Sequence, residues 1–246
     1  MKSTVSLILA LLAATTVSAQ LMMPVRPEAH TTEPMRVDNE VVPVFPREMT
    51  LIGVRDGYAL IAFGVTAEGK VDDSVPVAYS DRAFADVALG AIKGWTFHPL
   101  YIDGKPVAST SQVTFSFKTD GTVLVMLSGG SDDVEIARTK LPLLGREKFQ
   151  TQNLRDLDAI PRPISAAAPN YPASYLKQGV SGTVRVDFFI DQNGAVRLPS
   201  VDPSADQELA ALAIAALQTW RFEPPTIGHR PVQVRASQLF RFGPSK

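Results

Sequence analysis

Trp220-Arg221-Phe222-Glu223-Pro224 closes a strongly helical pattern, and Trp95-Thr96-Phe97-His98-Pro99 is its counterpart 125 positions earlier. Sliding the chain over itself by that offset keeps register without a gap from Gly57/Gly182 to Phe117/Phe242. Along the slide Phe63 meets Phe188, Gly69 meets Gly194 and Asp81 meets Asp206. Pro106-Val107 meets Pro231-Val232, and Phe115 meets Phe240. A repeat with this period is a duplicated domain, not a solenoid unit of about 20–50 residues. The chain therefore holds two copies of one small domain.

Each copy reads as strand, strand, helix, strand. In the first, Tyr58 to Val65 alternates as a strand, with Ala59, Ile61, Phe63 and Val65 on one side. Leu60 and Ala62 on the other side are also apolar, so a cover is expected there too. Glu68-Gly69 is a turn, and Val71 to Val77 a second strand. Ser80 is the expected N-cap of a helix whose buried stripe is Phe84, Val87, Ala88, Ala91, Ile92 and Trp95. Asp103-Gly104 turns into a third strand, Val107 to Phe117. Asp120-Gly121 then separates it from apolar Thr122 to Leu127, a hairpin signal that adds a strand to this copy alone.

In the second copy, Ala173 to Lys177 is a short helical turn. Val184, Val186, Phe188 and Ile190 alternate with Arg185 and Asp187, giving a core face and a wet face. Asn193-Gly194 turns into Val196 to Val201. Ser204 with Gln207 reads as a capping box before the stripe Leu209, Leu212, Ala213, Ala216, Leu217 and Trp220. Gly228-His229 turns into a final strand, Val232 to Phe242. The tryptophans and Phe97 and Phe222 are read as core residues that hold helix to sheet.

The fold class is thus α+β: two tandem small domains, each a short antiparallel sheet packed by one helix (β-β-α-β), the first with an extra C-terminal strand. The expected boundaries are 1–19 for a signal peptide, 20–42 for an extended linker, 43–128 for the first copy, 129–160 for a second linker and 161–246 for the second copy. Ser128 to Asp133 reads as a loop, and Arg146 to Ile160 is expected to hold a short helix.

The signal peptide rests on Met1-Lys2, the apolar run Val5 to Val17, and Val17-Ser18-Ala19 before Gln20. No charge lies between Ser3 and Val25, so an uncleaved anchor stays open as the alternative. Either way the folded part is expected outside the cytoplasm.

The 246 residues are 45% hydrophobic and 20% charged, with a formal net charge of −1. That balance gives no pull toward nucleic acid or a bulk membrane surface. The charge is uneven: seven Lys/Arg stand against nine Asp/Glu in 43–128, and nine against six in 161–246. The asymmetry fits docking of the copies, an acidic partner of the second, or a chance imbalance of solvated charge. Cysteine is absent, which removes disulfides and thiolate chemistry.

His30, His98 and His229 have no second ligand at metal spacing, and the pairs Asp72-Asp73 and Asp132-Asp133 point apart in extended chain. Ser200, Ser204 and Ser237 have no motif partners, and no glycine-rich phosphate loop occurs. No catalytic residue, metal or cofactor is expected.

Tyr171-Pro172, the Gly-x-Val-x-Val-x-Phe-x-Ile-Asp-x-x-Gly run from Gly182 to Gly194, the helix Leu209 to Leu217, Trp220 to Pro224 and Pro231-Val232 together resemble the TonB C-terminal domain family. The first copy is similar to a more divergent member, through Phe45-Pro46, Gly57, Gly69, Trp95 to Pro99 and Gly104-Lys105-Pro106-Val107. The resemblance implies that a partner's peptide adds beside the last strand, Val232 to Phe242, with Tyr171 and Pro172 nearby. Candidate partner-binding residues are then Tyr171, Pro172, Val232, Val234, Arg235, Ser237, Leu239 and Arg241. Arg235 and Arg241 read equally as contacts for an acidic peptide or as charges that guard an edge. In the first copy the extra strand would occupy the matching edge.

The function expected is a non-enzymatic, exported periplasmic binder of proteins or peptides, an outer-membrane receptor being one candidate partner. The alternatives are a membrane-anchored energy transducer on the periplasmic side of the inner membrane, and an assembly protein that homodimerises through strand edges. The short linker and the tandem copies depart from a full transducer.

Overall fold

The structure, a computed structural model, describes residues 31–128 and 148–243. The signal-like start, the beginning of the first linker and the Gly129 to Asp133 stretch lie outside the described residues. Among those described, no helix is long and apolar enough to cross a membrane.

The first copy runs β1 (Thr32–Glu33), β2 (Arg36–Asn39), α1 (Arg47–Leu51), β3 (Asp56–Val65), β4 (Val71–Tyr79) and α2 (Arg82–Ile92). It continues with β5 (Thr96–His98), β6 (Leu100–Ile102), β7 (Lys105–Val107), β8 (Ser109–Lys118) and β9 (Val123–Ser128). Between the copies come β10 (Phe149–Gln150), β11 (Gln152–Asn153) and a 3-10 turn at Leu154–Asp156. The second copy holds β12 (Pro163–Ser165), α3 (Ala173–Gln178), β13 (Gly182–Ile190), β14 (Val196–Ser200) and α4 (Gln207–Gln218). It ends with β15 (Arg221–Phe222), β16 (Thr226–Ile227), β17 (Arg230–Pro231) and β18 (Val234–Phe242).

Among the described residues the two largest sheets, mainly antiparallel, are ordered β10-β4-β3-β8-β9 and β11-β18-β13-β14. One long helix packs each of them, α2 the first and α4 the second. Ala59, Ile61, Phe63 and Val65 meet Phe84, Ala88 and Ile92 in the first core. Val184, Val186, Phe188 and Ile190 meet Leu209, Ala213 and Leu217 in the second. The fold class is the one the periodicity predicts, and β9 supplies the extra strand on β8.

The glycine pair of the repeat has one physical reason in both copies. Gly69 and Gly194 take φ of +77° and +78°, and a Cβ there would sit 1.8 and 1.9 Å from the carbonyls of Phe97 and Phe222. Those aromatic residues donate their amides to the two glycine carbonyls at 2.8 and 2.9 Å. The turn and the strand after the helix are thereby locked together. The tryptophans match as well: Trp95 Nε1 donates to the Val41 carbonyl at 3.0 Å, and Trp220 Nε1 to that of Ala167 at 2.8 Å. Trp95 is buried, whereas Trp220 is only partly so.

Several local expectations are corrected. Asp81 and Asp206, not Ser80 and Ser204, cap the helices: Asp81 accepts from the Ala83 amide, and Asp206 from those of Glu208 and Leu209. A carboxylate at the start of a helix satisfies the free amides and favours the positive end of the dipole. Residues 32–39 are not a bare linker, since β1 and β2 pair with β6 and β5. Leu100 to Val107 forms its own hairpin around Asp103-Gly104, both at positive φ, and the long strand begins only at Ser109. Of the stretch 146–160 expected to hold a short helix, the described residues, 148–160, hold a 3-10 turn preceded by two short strands.

The second face of the first sheet is covered, as its apolar residues require. Tyr58, Leu60, Ala62, Val75, Val77 and Ala78 bury themselves against Phe189 and Leu198 of the second copy. Leu198 takes φ +48°, unusual for leucine, within a strand whose pairing to β13 is irregular between Asp187 and Phe189. The two copies are therefore joined by an apolar interface rather than by the chain alone.

Candidate functional site: an open strand edge

β18 pairs along its whole length with β13, from Gly182↔Phe242 to Ile190↔Val234. Among the described residues its other side is filled only at the start. There β11 lies parallel to it, Gln152 opposite Val234 and Asn153 opposite Arg235, with the Gln152 amide donating to the Gln233 carbonyl at 2.9 Å. Backbone groups alternate in direction along a strand, so Ser237, Leu239 and Arg241 also turn their N–H and C=O outward. Among the described residues no strand takes them up.

The first copy makes the contrast. Subtracting the repeat offset from Ser237–Phe242 gives Gln112–Phe117, and those residues are paired in full by β9, from Gln112↔Ser128 to Phe117↔Val123. What the first copy closes with its own chain, the second leaves open among the described residues.

Side chains on β18 divide by face. Val234, Ala236, Phe240 and Phe242 are buried in the second core. Arg235, Ser237, Leu239 and Arg241 project from the opposite face, where Leu239 is 47% exposed. The sequence-derived candidates do not all sit together. Val234 departs from the set, because its side chain is in the core and its backbone edge is taken by Gln152. Val232 precedes the strand, its amide bound to the Pro225 carbonyl at 2.9 Å. Tyr171 lies at the far end, its ring 5.6 Å from that of Phe242 and its hydroxyl donating to the Val180 carbonyl. Pro172 starts α3 beside it.

Residues not anticipated from sequence complete the near end. Asn153 and Leu154 of the connector, with Arg185, Asp187, Arg235 and Ser237, line an open pocket of about 320 Å³. Arg185 donates to Asp187 Oδ1 at 3.1 and 3.2 Å. The connector has no apolar periodicity to announce it. It is held by tertiary hydrogen bonds: Thr151 N–H to the Val77 carbonyl at 2.7 Å, and the buried Gln233 Nε2 to Thr151 Oγ1 and to the Pro76 carbonyl at 2.8 and 2.9 Å. A backbone edge flanked by such side chains can accept an extended chain. Among the described residues no cluster of three or more His, Cys, Asp or Glu side chains is placed to hold a metal ion.

Comparison with known proteins agrees with the repeat. Residues 42–119 and 167–244 each match the family described as Gram-negative bacterial TonB protein C-terminal. Protein TonB of Yersinia enterocolitica is 31% identical over 96 residues, which are 38% of this chain and 36% of that protein. The chain thus spans about a third of the length of this curated relative. The solution NMR structure of the Pseudomonas aeruginosa TonB CTD is similar at 27% identity, over 36% of this chain and 89% of that one, with a TM-score of 0.31.

Proposed function

The chain belongs to the Gram-negative bacterial TonB protein C-terminal family through both of its copies, and from that membership we propose that it binds partner proteins or peptides by strand addition along the open edge of the second copy. The family is non-enzymatic and is associated with energy transduction for transport in the cell envelope. The protein accordingly acts by binding rather than by catalysis. In this reading it is exported to the periplasm, its second copy captures an extended segment, and its first copy serves as a scaffold. An outer-membrane receptor is the partner class that family membership favours.

One observation carries the proposal. Among the described residues, Ser237–Phe242 offers an open backbone ladder where its counterpart Gln112–Phe117 is fully paired. The connector supports it further, because β11 already adds a strand to this edge in cis.

The test is proline at an outward amide. Ser237→Pro removes one ladder donor from an edge strand that tolerates proline, and Ser237→Ala controls for the side chain. Binding is measured against an array of periplasm-facing peptides from outer-membrane transporters, with folding checked by thermal melts. Affinity is expected to fall about tenfold or more in Ser237→Pro and to persist in Ser237→Ala. Unchanged binding by a folded Ser237→Pro protein would sink the proposal.

A second reading, an anchored energy transducer, draws on the uncharged run from Ser3 to Val25. The intact mass of the mature protein separates the two. A soluble species beginning at Gln20 removes the anchor, and a membrane species retaining Met1 restores it.

A further inference from the structure

We infer that the first copy is a dimerisation module: the outer edge of β9 pairs antiparallel with the β9 of a second copy of this chain, joining two five-stranded sheets into one. The inference is independent of the strand-addition reading above, which concerns β18.

β9 is Val123-Leu124-Val125-Met126-Leu127-Ser128, six residues without charge, proline or glycine. It pairs with β8 on one side, and among the described residues no strand lies on the other. Among the described residues, every other long strand with an open side in the two large sheets carries charge. β4, free beyond its pairing with β10 at Ala78 and Tyr79, holds Asp72 and Asp73. β14 holds Arg197 and Pro199, and the open part of β18 holds Arg241. Charge and proline on an edge discourage pairing with another chain. β9 has neither.

Exposure along β9 indicates what covers it. Val123, Val125 and Leu127 lie opposite Phe117, Phe115 and Val113, on the face that α2 packs. Leu124 and Met126 lie opposite Ser116 and Thr114, on the other face. Leu127 is 40% exposed and Leu124 54%, so apolar surface remains on both faces at once. A body resting on one face would cover one of them. A strand in the plane of the sheet covers both.

The backbone fixes the register. The Lys118 amide donates to the Thr122 carbonyl at 2.9 Å. By the alternation of an antiparallel ladder, Leu124, Met126 and Ser128 then bond to β8, and Val123, Val125 and Leu127 turn their N–H and C=O outward. A two-fold axis beside Val125, perpendicular to the sheet, sets Val125 opposite its own copy and Val123 opposite Leu127. Every outward group is then paired, and Leu124 meets Met126 on the far face. All of these contacts are apolar, and no charge is brought against itself, so the strand is its own complement. A foreign partner would have to supply an uncharged strand of this kind, and the chain already carries one. The pairing uses up both β9 edges, so the assembly closes at two. It also puts both second copies on one side of the joined sheet, because Phe189 and Leu198 pack on the face away from α2.

The test is sedimentation of the full chain over a range of concentrations, at low and high salt. Wild type is expected to pass from monomer to dimer at about 10 μM, the weak end for so short an interface. High salt is expected not to weaken the dimer, since no charge pair holds it. Leu124→Lys/Leu127→Lys changes two exposed side chains, and Val125→Pro removes one outward amide. Each variant, shown folded by its melt, is expected to raise the dissociation constant about tenfold or more. The chain has no cysteine, which allows a direct check of register. Val125→Cys sets two Cα atoms about 5.5 Å apart, within disulfide reach, and is expected to give a covalent dimer under mild oxidation. Asp72→Cys, exposed on the opposite side of the sheet, is expected to stay monomeric on the same treatment. Wild type that remains a monomer at every concentration overturns the proposal and leaves the edge to a strand from another protein. Dimerisation that survives both variants, or that crosslinks Asp72→Cys as readily as Val125→Cys, overturns it by placing the contact elsewhere.

Discussion

Arg197 of β14 grips Asp73 of β4 across the junction of the two copies, its Nε donating to Asp73 Oδ2 at 2.8 Å and a second guanidinium nitrogen to Oδ1. The same group reaches the Ser74 carbonyl at 3.3 Å and stands 3.7 Å from Asp191. The hydrogen bond to Asp73 raises the Arg197 pKa above its ordinary value, although burial opposes it. Planar, two-point recognition is what arginine offers a carboxylate. Both side chains are about a third exposed, so solvent screening limits the gain.

A double-mutant cycle on Asp73→Ala and Arg197→Ala should therefore give a coupling of about 1 kcal/mol in urea unfolding, decreasing with salt. A coupling of zero would mean that the ion pair follows from docking without contributing to it.

Leu198 offers a sharper test of the interface. Leu198→Ala removes an apolar contact with the first sheet and should cost about 2–3 kcal/mol. Leu198→Gly should cost no more, reversing the usual order in strands, because glycine adopts φ +48° without the penalty of about 1 kcal/mol that alanine meets. Chemical denaturation of the two variants reads the difference directly.

Gly69→Ala and Gly194→Ala should each cost about 3 kcal/mol or more, since the new Cβ cannot coexist with the carbonyl of Phe97 or Phe222. Gly104→Ala is the control. It has positive φ but nothing within 4 Å, so only the backbone penalty of about 1–2 kcal/mol applies. Thermal melts that placed all three together would refute the steric account.

Acid should loosen the cap of α2. The hydrogen bond from Lys148 lowers the Asp81 pKa, burial opposes it, and the Ala83 amide adds to the lowering. A depressed carboxylate stabilises the fold above its unfolded pKa of about 4, and the contribution is lost as pH falls through the lower folded value. Asp81→Asn keeps a capping oxygen without the charge, so its stability should vary less with pH below about 4 than that of wild type. Identical pH profiles would show that Lys148 and the cap act independently of the charge.

Trp95→Ala should cost about 3–5 kcal/mol, and Trp220→Ala visibly less, because Trp95 is 2% exposed and Trp220 lies only partly buried against the second core. Both variants also orphan a backbone carbonyl, that of Val41 or Ala167, and the more exposed site of the Ala167 bond adds to the difference. Urea unfolding of the two variants measures it.

Helices α2, α3 and α4, the long strands, both glycine turns and the extra strand of the first copy are legible in the chain, because each follows from local periodicity or turn chemistry; α1 is not. The caps carry a signal that serine masks. Serine and aspartate are both good N-caps, so Ser80 and Ser204 compete with Asp81 and Asp206 on local grounds. The slide that pairs Asp81 with Asp206 is the stronger cue, since it repeats one acid at the same helix start in both copies.

At the candidate site, the alternation of β18 is legible, and with it the outward set Arg235, Ser237, Leu239 and Arg241. The connector is not. Phe149 to Asn153 has no period of its own, and its two short strands exist only because β4 and β18 present edges to it.

By itself, then, the sequence determined that the chain is a duplicated β-β-α-β domain and that the first copy closes its last strand with a further one. Those properties are written in spacing, and spacing survives without a partner. Tertiary structure alone decided how Phe189 and Leu198 cover the first sheet, and how much of β18 the connector leaves open. Both depend on which surfaces meet, and contacts between residues far apart in the chain leave no local period to read.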